Sequence, residues 1–507
     1  MLKLRVFKLL AMLLMGVMFF LSCAKENRHP NVIIIYTDDI GYGDIGINGA
    51  KQIPTPNIDK LAVEGLQFTD GHCAASTCSP SRYALLTGEM GFRRNLGIQG
   101  INAPATILPS RFTMGKLFQQ AGYKTGIVGK WHLGLGDGKI DWNREIIPGP
   151  REAGFDYSFI IPYTNDRAPF VYVENQKVYN YDPDDPITVS KTPIPDSIPG
   201  TAYPDARLNP EAITVYQGDD GHSCTVINGV GRIGYMKGGE KALWNDNKIA
   251  FDLVEKAENF ITDHEKSPFF LFLATNDIHA PRLPDPRFRG QTSLGYRGDN
   301  VVQLDWCVGQ ITSLLEKLQL DKNTVLIFTS DNGPVYIDGG YQDGSDIGDH
   351  KAAGIYRGGK YSIYEGGTRV PFIIKWPSVI KPGISDALVS QVDLLASFAA
   401  FLKIAIPAES AIDSRNYWNT FIGKDVKGAR IILEQANTKE TGIAIRKELM
   451  KYIIIRNELF EMYDLKTDPS ENHNIINEQP ETAKNLNQLL EKLLDTGLNG
   501  FSEDGHQ

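Results

Sequence analysis

Several groups of residues in this chain are of the kind that do chemistry together. Asp38 and Asp39 are adjacent carboxylates, and Asp331-Asn332 adds another carboxylate and an amide oxygen. Hard oxygen donors of this type suit Ca²⁺ or Mg²⁺. Cys78 opens the stretch Cys78-Ser79-Pro80-Ser81-Arg82, which runs into the apolar segment Tyr83-Ala84-Leu85-Leu86. That placement puts the cysteine at a helix N-terminus, where backbone N–H groups and the helix dipole favour an anion. Lys130 and His132 are two residues apart, so both can face one pocket. His279 and Lys360 add a further base and a further cation.

These groups need elements to hold them. Residues 31–37 form a continuous apolar, β-branched run, the mark of a strand buried on both faces of a parallel sheet. Similar runs occur at 124–128, 269–274, 324–329 and 370–375, with helical patterns at 57–64, 113–121, 244–262 and 301–318. Strands alternating with helices imply an α/β domain, with its site at the carboxyl ends of the strands. Asp38-Asp39 ends one run, Asp331-Asn332 ends another, and His279 closely follows a third. Residues 160–240 are rich in Pro, Gly, Asp and Tyr, and are expected to be a specificity insertion over the site. After about residue 430 the pattern changes to short antiparallel strands at 442–446, 451–456 and 459–464, with a helix at 481–494.

The chain has 507 residues and a formal net charge of −9, which argues against a nucleic-acid partner held by bulk electrostatics. Lys3, Arg5 and Lys8 precede an apolar run over 9–21 that is short for a membrane span. The run ends Leu21-Ser22-Cys23, similar to a bacterial lipobox in which Cys23 is lipidated. The expected organisation is a signal segment at 1–23, a tether at 24–30, a catalytic domain at 31–430 and a C-terminal subdomain at 431–507. The product is an exported protein, periplasmic or attached to the outer membrane by a lipid anchor. The five cysteines are too few for a disulfide framework. Pairs Cys73–Cys224 or Cys224–Cys307 are both open, with at least one thiol left free.

The motif around Cys78 resembles the signature of type I sulfatases, members of the alkaline-phosphatase superfamily. The resemblance extends to Gly41-Tyr42-Gly43-Asp44, Gly129-Lys130-Trp131-His132, Asn276-Asp277-Ile278-His279 and Gly359-Lys360, and so spans nearly all of the chain past residue 30. It implies an α/β/α sandwich on a large mixed, mostly parallel sheet, plus a small antiparallel C-terminal subdomain with a helix. It also implies one Ca²⁺ held by Asp38, Asp39, Asp331, Asn332 and position 78. Cys78 would be oxidised to formylglycine by a maturating enzyme that recognises Pro80 and Arg82. A plain thiolate would attack a sulfate ester poorly beside a hard cation, whereas an aldehyde hydrate has one hydroxyl to attack sulfur and one to expel sulfate later.

By the same resemblance, Lys130 and Lys360 bind sulfate oxygens, Arg82 steadies the nucleophile and carboxylates, and His132 takes the second hydroxyl proton. His279, or Lys360, protonates the leaving alcohol. The substrate implied is a sulfated glycan, with a galactose or N-acetylgalactosamine 4-O-sulfate as the first expectation. Thr164, Asp166, Arg167, Asp349, His350 and Arg357 are the candidate substrate contacts. A phosphate or phosphonate ester hydrolase of the same superfamily, and a glycan-binding lipoprotein with an inactive site, are the alternatives.

Overall fold

A computed structural model describes residues 29–336 and 339–499. The signal segment, Cys23 and most of the tether lie outside the described residues. The apolar run at the start of the domain forms β1 (Asn31–Thr37), every residue of which is buried. Burying a Val or Ile side chain contributes about 1.5–3 kcal/mol, so this strand alone is a large part of the core.

The main sheet has ten strands. In chain order the others are β2 (Leu66–Phe68), β3 (Lys124–Lys130), β4 (Tyr157–Ile161), β5 (Val173–Glu174) and β6 (Lys177–Val178), then β7 (Phe269–Ala274), β8 (Thr324–Ser330), β9 (Phe372–Lys375) and β10 (Gly383–Ser385). Their spatial order is β10-β2-β9-β8-β1-β7-β3-β4-β5-β6. The five central strands, from β8 to β4, are parallel, while β9 and β5 pair antiparallel and flank them. The sheet is therefore mixed but mostly parallel at its centre, as the sequence patterns implied.

Helices cover both faces. Successive strand residues point to opposite sides, and Phe269 and Phe270 of β7 show which helices lie on each. Phe270 stacks on Phe118 at 4.2 Å, and Phe118 belongs to a helix, Met114–Gln120. Phe269 meets Phe260 at 6.0 Å, in the helix Ile249–Asp263. The long helix Gly295–Lys317 packs against Ile249–Asp263, and the helix Cys78–Thr87 packs against Met114–Gln120. Two of the expected helices shift their starts. One begins at Ile249 rather than near 244, because Trp244 is buried against Phe170 and Tyr172 ahead of the helix. The other begins at Gly295 rather than 301, since Asp299 turns back to accept the Gly290 and Thr292 N–H groups and orders the chain leading into it.

The C-terminal sheet has four antiparallel strands, β11 (Ile431–Gln435), β12 (Ile443–Lys447), β13 (Met450–Ile455) and β14 (Leu459–Asp464), backed by the helix Pro480–Thr496. Strand β11 is one more than the sequence patterns suggested. Its outer end joins the catalytic domain: the Gln435 N–H donates to the Ala74 carbonyl at 3.1 Å, and the Ser76 N–H donates to the Gln435 carbonyl at 2.9 Å. The 160–240 region is ordered around short hairpins and adds β5 and β6 to the main sheet. Cys73, Cys78, Cys224 and Cys307 are all buried free thiols, so neither cysteine pair left open by the sequence forms.

Candidate active site

The site assembles at the carboxyl ends of β1, β3, β7 and β8. In a regular strand Asp38 and Asp39 would point to opposite faces. Asp39 instead has φ 61°, a left-handed conformation that breaks the alternation at the strand end. His132, two residues past β3, likewise has φ 54°. Such residues persist only where the surroundings over-determine them, and they gather at functional sites. Gly129 sits within β3 at φ 109°, and a Cβ there would lie 1.8 Å from the Ala274 carbonyl oxygen. Only glycine lets β3 approach β7 closely enough to deliver Lys130.

The side chains then converge. Lys130 Nζ donates to Asp38 Oδ2 at 2.5 Å, and Lys360 Nζ donates to Asp39 Oδ2 at 2.9 Å. Arg82 donates to Asp331 Oδ2 from Nε at 3.0 Å and Nη2 at 2.7 Å, and to the Lys130 carbonyl from Nη1 at 3.0 Å. Its guanidinium lies over the Tyr36 ring, 5.2 Å from the centroid, which fixes the fork's direction. Asn332 Nδ2 donates to Asp39 Oδ1 at 2.7 Å. Asp38, Asp39 and His279 each place a ligand atom within 4.8 Å of the others. Every one of these groups is buried.

Two oxygens in this cluster, Asp38 Oδ1 and Asn332 Oδ1, are buried without a hydrogen-bond partner. Buried polar atoms are rarely left so, and a site for a bound ion is one standard reason. Burial and the neighbouring Asp331 carboxylate push Asp38 up to about 8, more than Lys130 can offset. Three cations face three carboxylates here and still leave Asp38 pushed up and two buried oxygens without a donor, an arrangement that fits a hard divalent cation. Asp38, Asp39, Asp331 and Asn332 supply the oxygens for it. For Asp39, burial opposes ionisation, but Lys360, His279 and Lys130 outweigh it and hold the carboxyl below its ordinary range.

Cys78 is the first residue of its helix, beside this cluster, and Lys130, Lys360, Asp331 and Asp38 all act on it electrostatically. Burial nevertheless pushes the thiol up. An unmodified cysteine here stays protonated and is a weak nucleophile. Its setting suits an oxygen nucleophile better than a sulfur one, which agrees with the formylglycine expectation.

His132 Nε2 donates to the Gln99 carbonyl at 3.0 Å, which leaves Nδ1 buried and unpartnered. Burial, with Lys130 and Arg167 near, holds His132 well below its ordinary value, so it is a neutral base. Burial, with Lys360 and Lys130 beside it, lowers His279 to about 4. An anionic group set between those lysines cancels part of this effect and lets His279 take a proton.

The candidate substrate contacts separate into two groups. Thr164 hydrogen-bonds Asp166, and Asp166 accepts from Arg167 Nε at 3.2 Å. Arg167 Nη1 shares the Gln99 carbonyl with His132, at 3.0 Å. Asp166 also lies close enough to lower His279's burden of positive charge. These three residues thus belong to the rim of the centre. In the second group, His350 Nε2 meets Asp44 Oδ1 at 2.8 Å, and Arg297 grips both oxygens of the same Asp44. Arg357 lies 3.7 Å over the Tyr364 ring and donates to the Glu471 carbonyl at 2.8 Å. Asp349 is exposed, in a cleft beside His350. The structure therefore gives His350 and Arg357 bracing partners and does not bring them to the cation-binding cluster.

Sequence reasoning missed His222, whose Nε2 lies 3.2 Å from Asp166 Oδ2 and whose Nδ1 lies 2.8 Å from Asp219 Oδ1. Nothing in Gly221-His222-Ser223 signals this. The residue reaches the rim because the 160–240 region folds back on itself, with the Ile233 N–H donating to the Asp166 carbonyl at 2.7 Å and the Cys224 N–H to the Arg232 carbonyl at 2.9 Å. Gln99 was missed for a different reason: it acts through its backbone carbonyl, which no residue type announces.

Comparison with known proteins agrees with this geometry. A sulfatase family model matches residues 30–404, and a model of the C-terminal region of N-sulphoglucosamine sulphohydrolase matches residues 358–497. The chain is 45% identical to an N-acetylgalactosamine-6-O-sulfatase of Bacteroides thetaiotaomicron over 489 residues, covering 92% of this chain and 94% of that protein. It is 32% identical to the steryl-sulfatase of Rattus norvegicus, over 81% of this chain and 73% of the relative. A solved B. thetaiotaomicron structure, from work on the metabolism of multiple glycosaminoglycans, superposes with TM-score 0.88 at 45% identity, covering 92% and 99% of the two chains. With the strand-end carboxylates, the helix-terminal Cys78 and the paired lysines in one buried cluster, the chain belongs to the sulfatase family, hydrolases of sulfuric esters on an alkaline-phosphatase-like fold.

Proposed function

We propose that this sulfatase removes a 6-O-sulfate from N-acetylgalactosamine or galactose in a sulfated glycan. The observation that carries the reaction class is the convergence of Asp38, Asp39, Asp331 and Asn332 with Cys78, Lys130 and Lys360. The sugar and position rest on the 45% identical N-acetylgalactosamine-6-O-sulfatase, and they move the first expectation from O4 to O6. When present, a formylglycine at position 78 supplies the attacking oxygen, and a calcium ion draws charge from the sulfuryl group.

The chain's own residues do the rest. Lys130 and Lys360 swing part of their charge from Asp38 and Asp39 to the sulfuryl oxygens, where negative charge grows in the transition state. Arg82 keeps Asp331 ionised and fixed. His279 holds the proton for the leaving sugar oxygen, and His132 Nδ1 accepts one from the nucleophile's side of the pocket. Asp166, Arg167 and His222 hydrogen-bond sugar hydroxyls at the rim. A phosphate monoester would bring a second negative charge, for which this site offers only the two lysines, and a singly charged phosphonate ester is separated by its rate against a matched sulfate ester. With every catalytic side chain in place, an inactive glycan-binding role has no support. Export with a lipid anchor at Cys23 remains part of this proposal, and Cys23→Ser should release active enzyme from the membrane fraction.

The test is a panel of defined sulfated monosaccharides. Turnover of N-acetylgalactosamine 6-sulfate or galactose 6-sulfate well above the 4-sulfates is expected. Asp166→Ala should damage those sugars far more than a small aryl sulfate, because a site built to hydrogen-bond a hydroxyl is left unpaired without it. Preference for the 4-sulfate, or equal loss on the sugar and the aryl ester, overturns the reading.

A further inference from the structure

Residues that run from the cation-binding carboxylates form one wall of a second, open cleft of about 430 Å³. This volume lies within the ~300–1,000 Å³ range of small-ligand sites. One wall is the segment through Gly43 to Gln52, and the other is the segment 349–355. The two are tied together where the Gly43 N–H donates to the Ala352 carbonyl at 2.7 Å. Each wall is also braced from behind. Asp44 is gripped by Arg297 and His350, and the Ile355 carbonyl accepts from Ser470 Oγ at 2.7 Å. The cleft is therefore a built surface.

Most of its polar groups are already committed. Asn48 donates to the Tyr42 carbonyl and accepts from Gln67, and His350 is held by Asp44. What remains facing the cleft is Lys51, Gln52, Asp349 and Lys351, all exposed. Among the described residues neither lysine has a carboxylate within ion-pair distance. Two lysines against the single carboxylate of Asp349 leave the cleft net positive on a chain of net charge −9, and mark a place for an anion. Gly43 is four residues from Asp39, so the cleft lies no more than about 14 Å of chain from the reacting centre. That is within reach of neighbouring sugars of a glycan whose sulfated unit sits in the catalytic pocket.

We propose that this cleft is a distal subsite, in which Lys51 and Lys351 take the carboxylate or sulfate of a neighbouring sugar in an anionic polysaccharide. The proposal rests on the reading of the substrate as a sulfated glycan and names the kind: a polyanionic chain. Gln52 and Asp349 offer hydrogen bonds to the hydroxyls of the same sugar, and Ile355 offers an apolar surface to its C–H face.

The experiment compares two probes on the full-length enzyme. One is N-acetylgalactosamine 6-sulfate; the other is a tetrasaccharide in which that sugar alternates with uronic acid. Lys51→Gln with Lys351→Gln should raise KM for the tetrasaccharide by about fivefold or more, since two exposed ion pairs with the sugar are lost. Values for the monosaccharide should stay at wild-type level. Lys51→Glu with Lys351→Glu should enlarge the tetrasaccharide loss, and added salt should erase the wild-type advantage. An unchanged tetrasaccharide KM, or equal losses on both probes, overturns the subsite while leaving the sulfatase reading intact. If the wild type turned over neither probe, the sugar assignment would fail and the subsite with it.

Discussion

Two buried clusters in this molecule have the same ingredients and opposite characters. Asp38, Asp39 and His279 form one; Asp70, His72 and Glu365 form the other, where the catalytic domain meets the C-terminal sheet. Both place three potential ligands within 4.8 Å of one another. At the junction the protein supplies its own counter-charges. Arg446 grips Asp70 at 2.5 and 2.7 Å, Arg369 reaches both Asp70 and Glu365, and Lys451 lies 2.9 Å from Glu365 and 3.1 Å from Glu434. At Glu365 burial is outweighed, and Lys451, Arg369 and Arg446 hold the carboxyl well below its ordinary range. In the catalytic cluster burial wins at Asp38, whose Oδ1 meets no donor or cation, whereas the junction oxygens that lack a hydrogen bond, on Glu434 and Glu471, lie 3.1 and 3.6 Å from Lys451 Nζ. Proximity of ligands is thus a poor guide to a metal site. What marks one is a buried carboxylate oxygen to which the protein brings neither donor nor cation, as at Asp38 Oδ1.

The comparison can be broken at either end. Asp38→Asn should lower kcat on the order of a thousandfold, because it removes a charged ligand at the reacting centre. Thermal unfolding of the metal-free variant should show no loss of stability, since a repelling carboxylate has gone. A large drop in Tm would mean that Asp38 is structural. Lys451→Met is the counterpart. It strands Glu365, Glu434 and Glu471 and should cost about 3–5 kcal/mol of stability. Its kcat at low temperature should remain near wild type, and calcium should not restore its Tm.

Exhaustive chelation should abolish turnover, and calcium should restore it with one ion per chain by elemental analysis. Saturating calcium should also raise the wild-type Tm, as about 2.7 kcal/mol follows from a hundredfold excess over Kd. A second ion that survives Asp38→Asn would place metal at the junction and erase the contrast.

The smallest effect concerns pH. Burial, with Glu365 and Glu434 nearby, outweighs Lys451 and pushes Glu471 up to about 7. Against burial, Glu365, Asp70 and Glu434 hold His72 above its ordinary value. Both groups bind protons more tightly in the folded state. Their stabilisation is therefore full below the unfolded values and is lost as pH rises through the folded ones. Tm should fall as pH rises past about 7 in the wild type, and Glu471→Gln should flatten that slope. A wild-type Tm independent of pH between roughly 6 and 9 would contradict the assigned shifts.

The junction also shows why part of the fold was illegible. Strand β11 offers five buried residues but no alternation, because its partner on one side is β12 and its end pairs with 74–76, far away in sequence. Strands β2 and β10 are three residues each, too short for a period to register. The long central strands were legible because burial on both faces demands an unbroken apolar run, and 31–37, 269–274 and 324–330 provide one.

The sequence by itself determined which residues are candidates for the reacting set. Asp38, Asp39, Cys78, Arg82, Lys130, His132, His279, Asp331, Asn332 and Lys360 are recognisable because each sits in a short motif beside the element that carries it, and local physics places it at a strand end or a helix start. Only the tertiary structure decided which remaining groups join them. His350 goes to Asp44 and Arg357 to the C-terminal subdomain, while His222 arrives at Asp166 from 56 residues away. It also decided that the junction carboxylate oxygens without a hydrogen bond meet Lys451 while Asp38 Oδ1 meets no counter-charge. Charge balance in a buried site depends on counter-ions brought from distant segments, and sequence spacing carries no record of them.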